Sequence, residues 1–323
     1  MPNVKNAFVA SPGIMQIIES IELKRGTGHR RCPGHLTVVG ESGSGKTTLL
    51  EHLQNLYPKT TTDNNDKDII PLVQLSFPAG LNTFDMIKQL LEALGDPDYE
   101  ERTQKTAEKR LWKYLKECQV DFICFDEFHD IRDGNAFRVD KYARRFIKKL
   151  SNKSKVIVIA FGIEEVKDLI KQEKELNTRF QEVFYMPVYS IYDGQRKVFE
   201  KYLLNLSEYI DIDNPEHLYS GDFPERLFIA TRALPRMMAL LIDRALDLAG
   251  RDGRKRVTKG DYYKAALAFQ STERQAKVFT LKKEKLEELV SAGVYKNPND
   301  SRSLEVLEEY FGKKDALPAL LSE

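Results

Sequence analysis

The 323-residue chain carries 50 Lys and Arg against 49 Asp and Glu, a net charge of +1 that excludes a global basic or acidic field. Apolar residues at 41% can build a sizeable core, charged residues at 31% suit a cytoplasmic protein, and no apolar stretch reaches membrane-spanning length. Cys32, Cys118 and Cys124 are odd in number and lack CxxC spacing, which argues against a disulfide framework or a zinc site, and residues 1–30 lack a signal-peptide pattern.

In chain order, Ile14, Ile17, Ile18 and Ile21 recur at helical spacing, so a short helix over Ile14–Leu23 comes first. A Gly/Arg-rich turn, Arg25 to Gly34, leads into His35–Val39, a β-branched run stopped by Gly40 that reads as a buried strand. Thr47–Leu56 has helical periodicity, and the polar stretch Lys59 to Asp68 reads as an exposed loop. Ile69–Leu75 is a second strand, closed by Phe77-Pro78 and a turn at Gly80. Helices follow over Thr83–Leu94, ended by Gly95 and Pro97, and over Glu101–Gln119, which holds the single tryptophan, Trp112. Val120–Phe125 and Lys155–Ala160 are the third and fourth apolar runs, with a basic amphipathic helix, Phe137–Leu150, between them. Val183–Val188 is the fifth, marked near its end by Pro187.

Strands alternating with helices at this spacing imply right-handed crossovers and an α/β core over residues 31–190, with a mostly parallel five-stranded sheet between helices. Residues 1–30 form a helical extension ahead of it. After Ser190 the strand signals stop, and Gln195–Leu206, Pro224–Ala233, Pro235–Ala249 and Thr258–Ser271 make a small all-helical domain over residues 191–271. Residues 272–323 read as a charged, partly flexible tail. It is polar through Asn297–Ser303, helix-like over Leu304–Phe311, and ends in an apolar hook, Leu317 to Leu321, suited to capturing a partner.

Gly40-Glu41-Ser42-Gly43-Ser44-Gly45-Lys46-Thr47 fits GxxxxGK[ST] in full and sits between a strand and a helix, whose first turn continues with Thr48. Its glycines let successive N–H groups face one point, which with the helix dipole favours a polyphosphate. Lys46 then reaches the β- and γ-phosphates, and the Thr47 hydroxyl ligates Mg²⁺. Phe122-Ile123-Cys124-Phe125-Asp126-Glu127 is an apolar strand delivering two acids at its carboxyl end, the end at which parallel sheets bind ligands. Asp126 suits a metal-holding role and Glu127 the activation of an attacking water. His129 reads either as a sensor of nucleotide state or as a packing and hydrogen-bonding residue.

Phosphoryl transfer also needs positive charge against the γ-phosphate. Arg179, just ahead of the fifth strand, and Arg236, opening a helix of the second domain, are the candidates. Each also fits a structural role, as a sheet-edge arginine or a capping residue. Arg138, Lys141, Arg144, Arg145, Lys148 and Lys149 form a stripe that could follow a phosphate backbone or simply be a solvated face. Lys105, Lys109, Arg110 and Lys113 form a second, weaker stripe diluted by Glu101 and Glu108.

The order of P-loop, Asp-Glu strand end, pre-strand arginine and Leu234-Pro235-Arg236 resembles the AAA+ superfamily. Arg31-Cys32-Pro33-Gly34-His35-Leu36, Phe125-Asp126-Glu127-Phe128-His129, Val156–Gly162 with Ile163-Glu164-Glu165, and Leu176-Asn177-Thr178-Arg179-Phe180 narrow the likeness to the TniB/TnsC family of transposition regulators, over residues 14–265. The resemblance implies an AAA+ P-loop core with a helical lid, ATP and Mg²⁺ as ligands, and an ATPase that forms a ring or helical filament on double-stranded DNA. It further implies a target selector of the TniQ/TnsD type and a transposase of the TnsB type as partners. The implied location is the bacterial cytoplasm, on DNA and with no membrane contact, and hydrolysis drives disassembly. On the same likeness Arg179 is a trans arginine finger and Arg236 a sensor-2 arginine. Family members often carry a polar residue, commonly Thr, just after the fourth strand. Here Ala160-Phe161-Gly162 offers neither hydroxyl nor amide, which implies a switch more than a fast ATPase. A signalling or defence NTPase acting on proteins without DNA, and a helicase-loader- or replication-initiator-like ATPase, use the same motifs. Dependence of assembly on DNA separates the first of these from a transposition regulator.

Overall fold

The run His35–Val39 folds as strand β1, buried along its whole length, because it lies inside a sheet with a neighbour on either side. The computed structural model describes residues 4, 7–27, 34–62, 67–76, 83–100, 103–131, 141–269, 273–297 and 302–311. They divide into two compact units, Ala10–Pro187 and Met1–Val9 with Val188–Glu323.

In the first unit the helices are α1 (Pro12–Thr27), α2 (Lys46–Leu56), α3 (Thr83–Ala93), α4 (Gln104–Glu117), α5 (Lys141–Lys153), α6 (Glu165–Gln172) and α7 (Lys174–Asn177). The remaining strands are β2 (Thr60–Thr62), β3 (Lys67–Ile69), β4 (Leu72–Ser76), β5 (Phe122–Asp126), β6 (Ile157–Gly162) and β7 (Phe180–Tyr185). The main sheet runs β4-β5-β6-β1-β7, and every neighbouring pair is parallel. Parallel strands must be covered on both faces, and β1, β5 and β6 are accordingly near-continuous apolar runs. On one face Ile123, Phe125, Val158 and Ala160 pack with Ile87 and Leu90 of α3, Leu111 of α4, Phe146 of α5 and Leu169 of α6. The alternate residues Leu36, Val38 and Phe122 are buried on the opposite face, as are Ile17 and Ile21 of α1 and Leu49 and Leu53 of α2. Each such side chain contributes about 1.5–3 kcal/mol, more than the roughly 0–1 kcal/mol of an exposed ion pair, so the apolar layers decide the fold.

Three local readings of the sequence change. Lys59 to Asp68, expected as a loop, contains the antiparallel hairpin β2–β3, with Thr60 paired to Ile69 and Lys59 bridged to Asp68 at 2.6 Å. Ile69 is thereby taken by the hairpin, and Pro71 has no N–H to donate, so the sheet strand starts only at Leu72. The last strand is Phe180–Tyr185 rather than Val183–Val188: it is an edge strand and accepts the exposed Gln181 and Glu182 that broke its apolar pattern. The turns at Phe77-Pro78 and Gly80, the Arg31-Cys32-Pro33 lead-in, Arg138 and Leu317 to Leu321 lie outside the described residues.

The second unit contains α8 (Arg196–Ser207), α9 (Phe223–Thr231), α10 (Pro235–Arg251), α11 (Lys259–Ala268), α12 (Glu273–Lys277), α13 (Lys283–Ser291) and α14 (Arg302–Phe311). Thr258 caps α11 through a reciprocal capping box with Asp261. Residues 273–311 were expected in a partly flexible tail. Instead Phe279, Leu286, Leu289, Leu307 and Phe311 bury in one core with Phe199, Leu227, Ile242 and Tyr262. Arg226 of α9, 1% exposed, donates to the carbonyls of Val278 and Leu281 and pairs with Asp222, fixing that segment to the bundle. Truncation from Ser301 therefore removes α14 from a packed core. Among the described residues no helix is long and apolar enough to cross a membrane.

His35 is the polar anchor of the central strand. Its Nδ1 accepts the Val158 N–H at 3.1 Å, which leaves Nε2 as the protonated nitrogen, facing Ser151 Oγ; that hydroxyl in turn donates to the Ile147 carbonyl at 3.1 Å. Burial, reinforced by the Arg179 and Lys24 charges, pushes its pKa down from 6.5 to about 3. The unfolded chain therefore binds a proton that the folded chain refuses between these values. The stabilising difference is complete above pH 6.5 and is lost as the pH falls, by at most about 1.4 kcal/mol per pH unit. Chemical denaturation from pH 7 to pH 4.5 should show wild type losing stability on the order of 2 kcal/mol more than His35→Gln; equal losses would remove His35 as the source.

Candidate functional site

β1 ends at Val39, and the chain turns through Gly40 to Gly45 into α2. The Gly40 N–H donates to the Gly162 carbonyl at 3.0 Å, fixing the loop to the end of β6. A Cβ on Gly40 would sit 2.5 Å from Ser44 Oγ and 2.7 Å from Met186 Cβ and Cγ. Gly43 and Gly45 hold φ of 83° and 96°, which L side chains rarely adopt. Glycine is required at each of these positions by space or by backbone.

Lys46, the first residue of α2, is 5% exposed and folds its ammonium back on the loop, donating to Gly40 O at 2.8 Å and Glu41 O at 3.0 Å. Burial lowers its pKa, against the pull of the Glu127, Asp126 and Glu41 carboxylates. Ser44 Oγ is buried without a hydrogen-bond partner. Thr47 is exposed in the first turn of α2, Thr48 is half-buried beside it, and Glu41 and Ser42 are exposed at the loop. The residues thus fit a polyphosphate: a cradle with no room for side chains, an orphaned hydroxyl, and an ammonium resting on neutral acceptors. Thr47 and Asp126 carry the hard oxygen donors that Mg²⁺ takes.

Asp126, 8% exposed, is the last residue of β5, and its Oδ1 accepts the Glu127 N–H at 3.0 Å. Glu127 stands at φ 50°, a left-handed turn that swings its side chain away from the strand direction and is closed by the Asp130 N–H on the Glu127 carbonyl at 2.9 Å. A short 3₁₀ turn, Phe128–Ile131, follows. It buries Phe128 and sets His129 Nδ1 3.3 Å from Glu127 Oε2. Both acids therefore stand at the carboxyl end of the sheet, on the side of the P-loop.

Arg179 does not join them. Its carbonyl accepts the His35 N–H at 2.8 Å at the amino end of β1, and its Nη2 donates to Asn152 Oδ1 at 3.2 Å. Arg236 is exposed at the start of α10 in the helical unit. Of the basic stripe on α5, Arg144 pairs with Glu173, Lys148 with Glu175 at 2.9 Å and Lys149 with Glu108 at 2.7 Å. Arg110 is bound to Asp96 and Asp98. Lys105, Lys109, Lys141 and Arg145 are exposed.

Two contributors had little signal in the sequence. Met186 packs on Gly40, its N–H held by the Val39 carbonyl at 2.7 Å, yet it looks like any methionine after a strand. Gly162 ends β6 against Val166, and only the structure gives the reason for glycine there.

The family model described as "Bacterial TniB protein" matches residues 4–190. No curated protein matches the chain in sequence. Among solved structures, Cdc6p from Pyrobaculum aerophilum is similar with a TM-score of 0.59 at 17% identity, over 96% of this chain and 83% of that one. The Aeropyrum pernix ORC2 protein, solved as ADPNP–ADP complexes, has a TM-score of 0.59 at 12% identity, over 98% and 91%. The Aeropyrum pernix ORC1 protein, solved in complex with DNA, has a TM-score of 0.57 at 15% identity, over 97% and 81%. At these identities the likeness is one of fold, the AAA+ P-loop fold.

Gly40→Ala should lower the affinity for a fluorescent ATP analogue at least ~10-fold, a loss of about 1.4 kcal/mol or more, by filling the cradle. Gly95→Ala, at φ 76° with nothing within 4 Å of its Cβ, is the control. It should cost about 1–2 kcal/mol of stability and leave the affinity unchanged. Equal effects of the two on binding would reduce the cradle to general backbone strain.

Proposed function

The chain belongs to the TniB family, and we propose that it is an ATP-hydrolysing switch that assembles on double-stranded DNA. There it joins a target selector of the TniQ/TnsD type to a transposase of the TnsB type, and hydrolysis releases the assembly. The observation that carries this reading is a separation of charges. Lys46, Asp126 and Glu127 stand at the carboxyl end of the sheet, whereas the Arg179 carbonyl is bonded to the first residue of β1. Gly40 lies five positions along the strand from that residue, roughly 16 Å, more than an arginine side chain can span. Arg179 then serves the P-loop of a neighbouring copy, and the site is complete only between copies.

Within one copy, the Lys46 ammonium exchanges two neutral carbonyl acceptors for the charged oxygens of the substrate, a bond type about twice as strong. Thr47 and Asp126 hold Mg²⁺, which when bound neutralises charge on the phosphates. Glu127 takes the proton of the attacking water. The fold is shared with an ORC1 protein solved with DNA, which supports the DNA part of the reading. With a net charge of +1, contact with phosphates falls to local residues, of which Lys105, Lys109, Lys141 and Arg145 are exposed. Arg144 and Lys148 can join only by giving up Glu173 and Glu175.

ATP turnover and electron microscopy of the protein with and without random duplex test the reading. Lys46→Ala should lose nucleotide binding and assembly together. Glu127→Gln should bind ATP, turn over at least ~100-fold more slowly and stay on DNA. Arg179→Ala should fall by ~10³-fold or more in turnover, and an equimolar mixture with Glu127→Gln, which still assembles and keeps Arg179, should recover activity that neither has alone. A mixture as inactive as its components would sink the trans role of Arg179. Assembly with ATP that proceeds equally without duplex and ignores salt would sink the DNA role.

A further inference from the structure

Gly162 closes β6 beside the 3₁₀ turn Phe128–Ile131, and its lack of a side chain is required by what surrounds it. A Cβ there would overlap Val166 Cγ2, come within 3.2 Å of His129 Nδ1 and within 3.6 Å of the Phe128 nitrogen. Val166 is fully buried in the packed face of the sheet and has no room to retreat. The end of β6 therefore cannot present a side chain toward Glu127 while the turn keeps its place. The imidazole of His129 occupies that position instead.

We infer that His129 is the positioning residue for Glu127, holding its carboxylate in the orientation that activates water. The inference rests on the reading of Glu127 as the base. Nδ1 of His129 lies 3.3 Å from Glu127 Oε2, and in this state it is buried and not aligned for a hydrogen bond with any partner. On the far side of the ring, Nε2 is 3.8 Å from Asp130 Oδ1, so one carboxylate stands behind the imidazole and another in front. The Glu127 side chain is 47% exposed against 16% for His129, so the ring is the more closely packed of the two. An N–H donated from Nδ1 to Oε2 would hold one carboxylate oxygen and leave the other for water. The left-handed φ of 50° at Glu127, closed on both sides by Asp126 Oδ1 and Asp130 N–H, brings the carboxylate within reach of this ring.

The test compares His129→Leu with His129→Asn in the full chain, with duplex DNA present, by single-turnover phosphate release, ATP-analogue affinity and thermal unfolding. Asparagine places an amide nitrogen near the position of Nδ1, and leucine keeps the volume without a donor. His129→Leu should lose ~10–100-fold in turnover, the scale of a misplaced catalytic group, with affinity unchanged within about twofold. His129→Asn should recover most of that loss. In a Glu127→Gln background, His129→Leu should cause no further loss, because a residue acting through Glu127 has nothing left to orient. Normal turnover in His129→Leu, or a loss that Asn does not repair, would overturn the inference. A drop in affinity and melting temperature matching the drop in turnover would make the residue merely structural and overturn it too. If Glu127→Gln alone turns over normally, the base assignment falls first and this inference with it. If Glu127→Gln is inactive while His129→Leu is not, only the inference falls.

Discussion

The parallel pairing of β1 with β6 on one side and β7 on the other constrains everything that bears on nucleotide chemistry here. Leu36 to Val39 register with Ile159 to Gly162 and with Glu182 to Tyr185. At the carboxyl end this ladder runs out into the Gly40 N–H on Gly162 O and the Met186 N–H on Val39 O, so P-loop, β6 end and β7 end form one bonded rim. At the amino end it finishes on His35 N–H to Arg179 O. A shift of β7 by one residue would turn its faces over and move Arg179 along the sheet. The buried imidazole of His35, bonded to β6 and α5 and packed against the ring of Phe180 at the start of β7, resists such a shift. Interior polar contacts that are fully partnered specify register in a way that apolar packing alone does not.

Much of this was legible in the sequence, for a physical reason. Interior parallel strands are buried on both faces, so β1, β5 and β6 appear as near-continuous apolar runs, and the glycines and the Lys-Thr of the loop between β1 and α2 are dictated by phosphate geometry. What failed was sequence whose structure depends on neighbours. Thr60 to Thr62 looks polar, yet its β-branched residues pair as a hairpin, and Gln181-Glu182 is tolerated because an edge strand has one wet face. Leu286 and Leu289 lay among so many lysines and glutamates that their helical stripe was diluted, and only the packed core reveals α13 as part of the bundle. The carboxylates that occupy the basic stripe on α5 come from residues 27 to 41 positions away, beyond the reach of periodicity.

Glycine at the end of β6 carries a different lesson. Read along the chain, Ala160-Phe161-Gly162 is a strand end that offers neither hydroxyl nor amide. In three dimensions it is an exchange. The volume released by the missing side chain is filled by a ring from the adjoining turn, anchored by the burial of its neighbour Phe128. A polar group from a strand end is positioned by backbone alone, whereas a ring from a 3₁₀ turn depends on that turn keeping its shape. The conformation of the turn and the orientation of Glu127 are therefore coupled, and whatever tightens or loosens residues 127–131 also acts on the carboxylate.

That coupling bears on why such a site would be a switch. Lys46 places two of its donors on Gly40 O and Glu41 O, so the loop itself holds the ammonium where a polyphosphate would meet it. Glu127 is held in a strained backbone conformation, worth about 1–3 kcal/mol against an extended one, and the His129 Nδ1 3.3 Å from its carboxylate makes no hydrogen bond to it. On the proposed reading of Glu127 as the base, nucleotide binding draws on the loop and alignment of the carboxylate draws on the turn, two separate sets of contacts. A machine built for turnover would pre-align the base, because each ångström of misplacement slows the chemistry. A site that binds first and aligns later instead gives the nucleotide-bound state a lifetime, and a lifetime is what an assembly needs in order to find its partners before it comes apart.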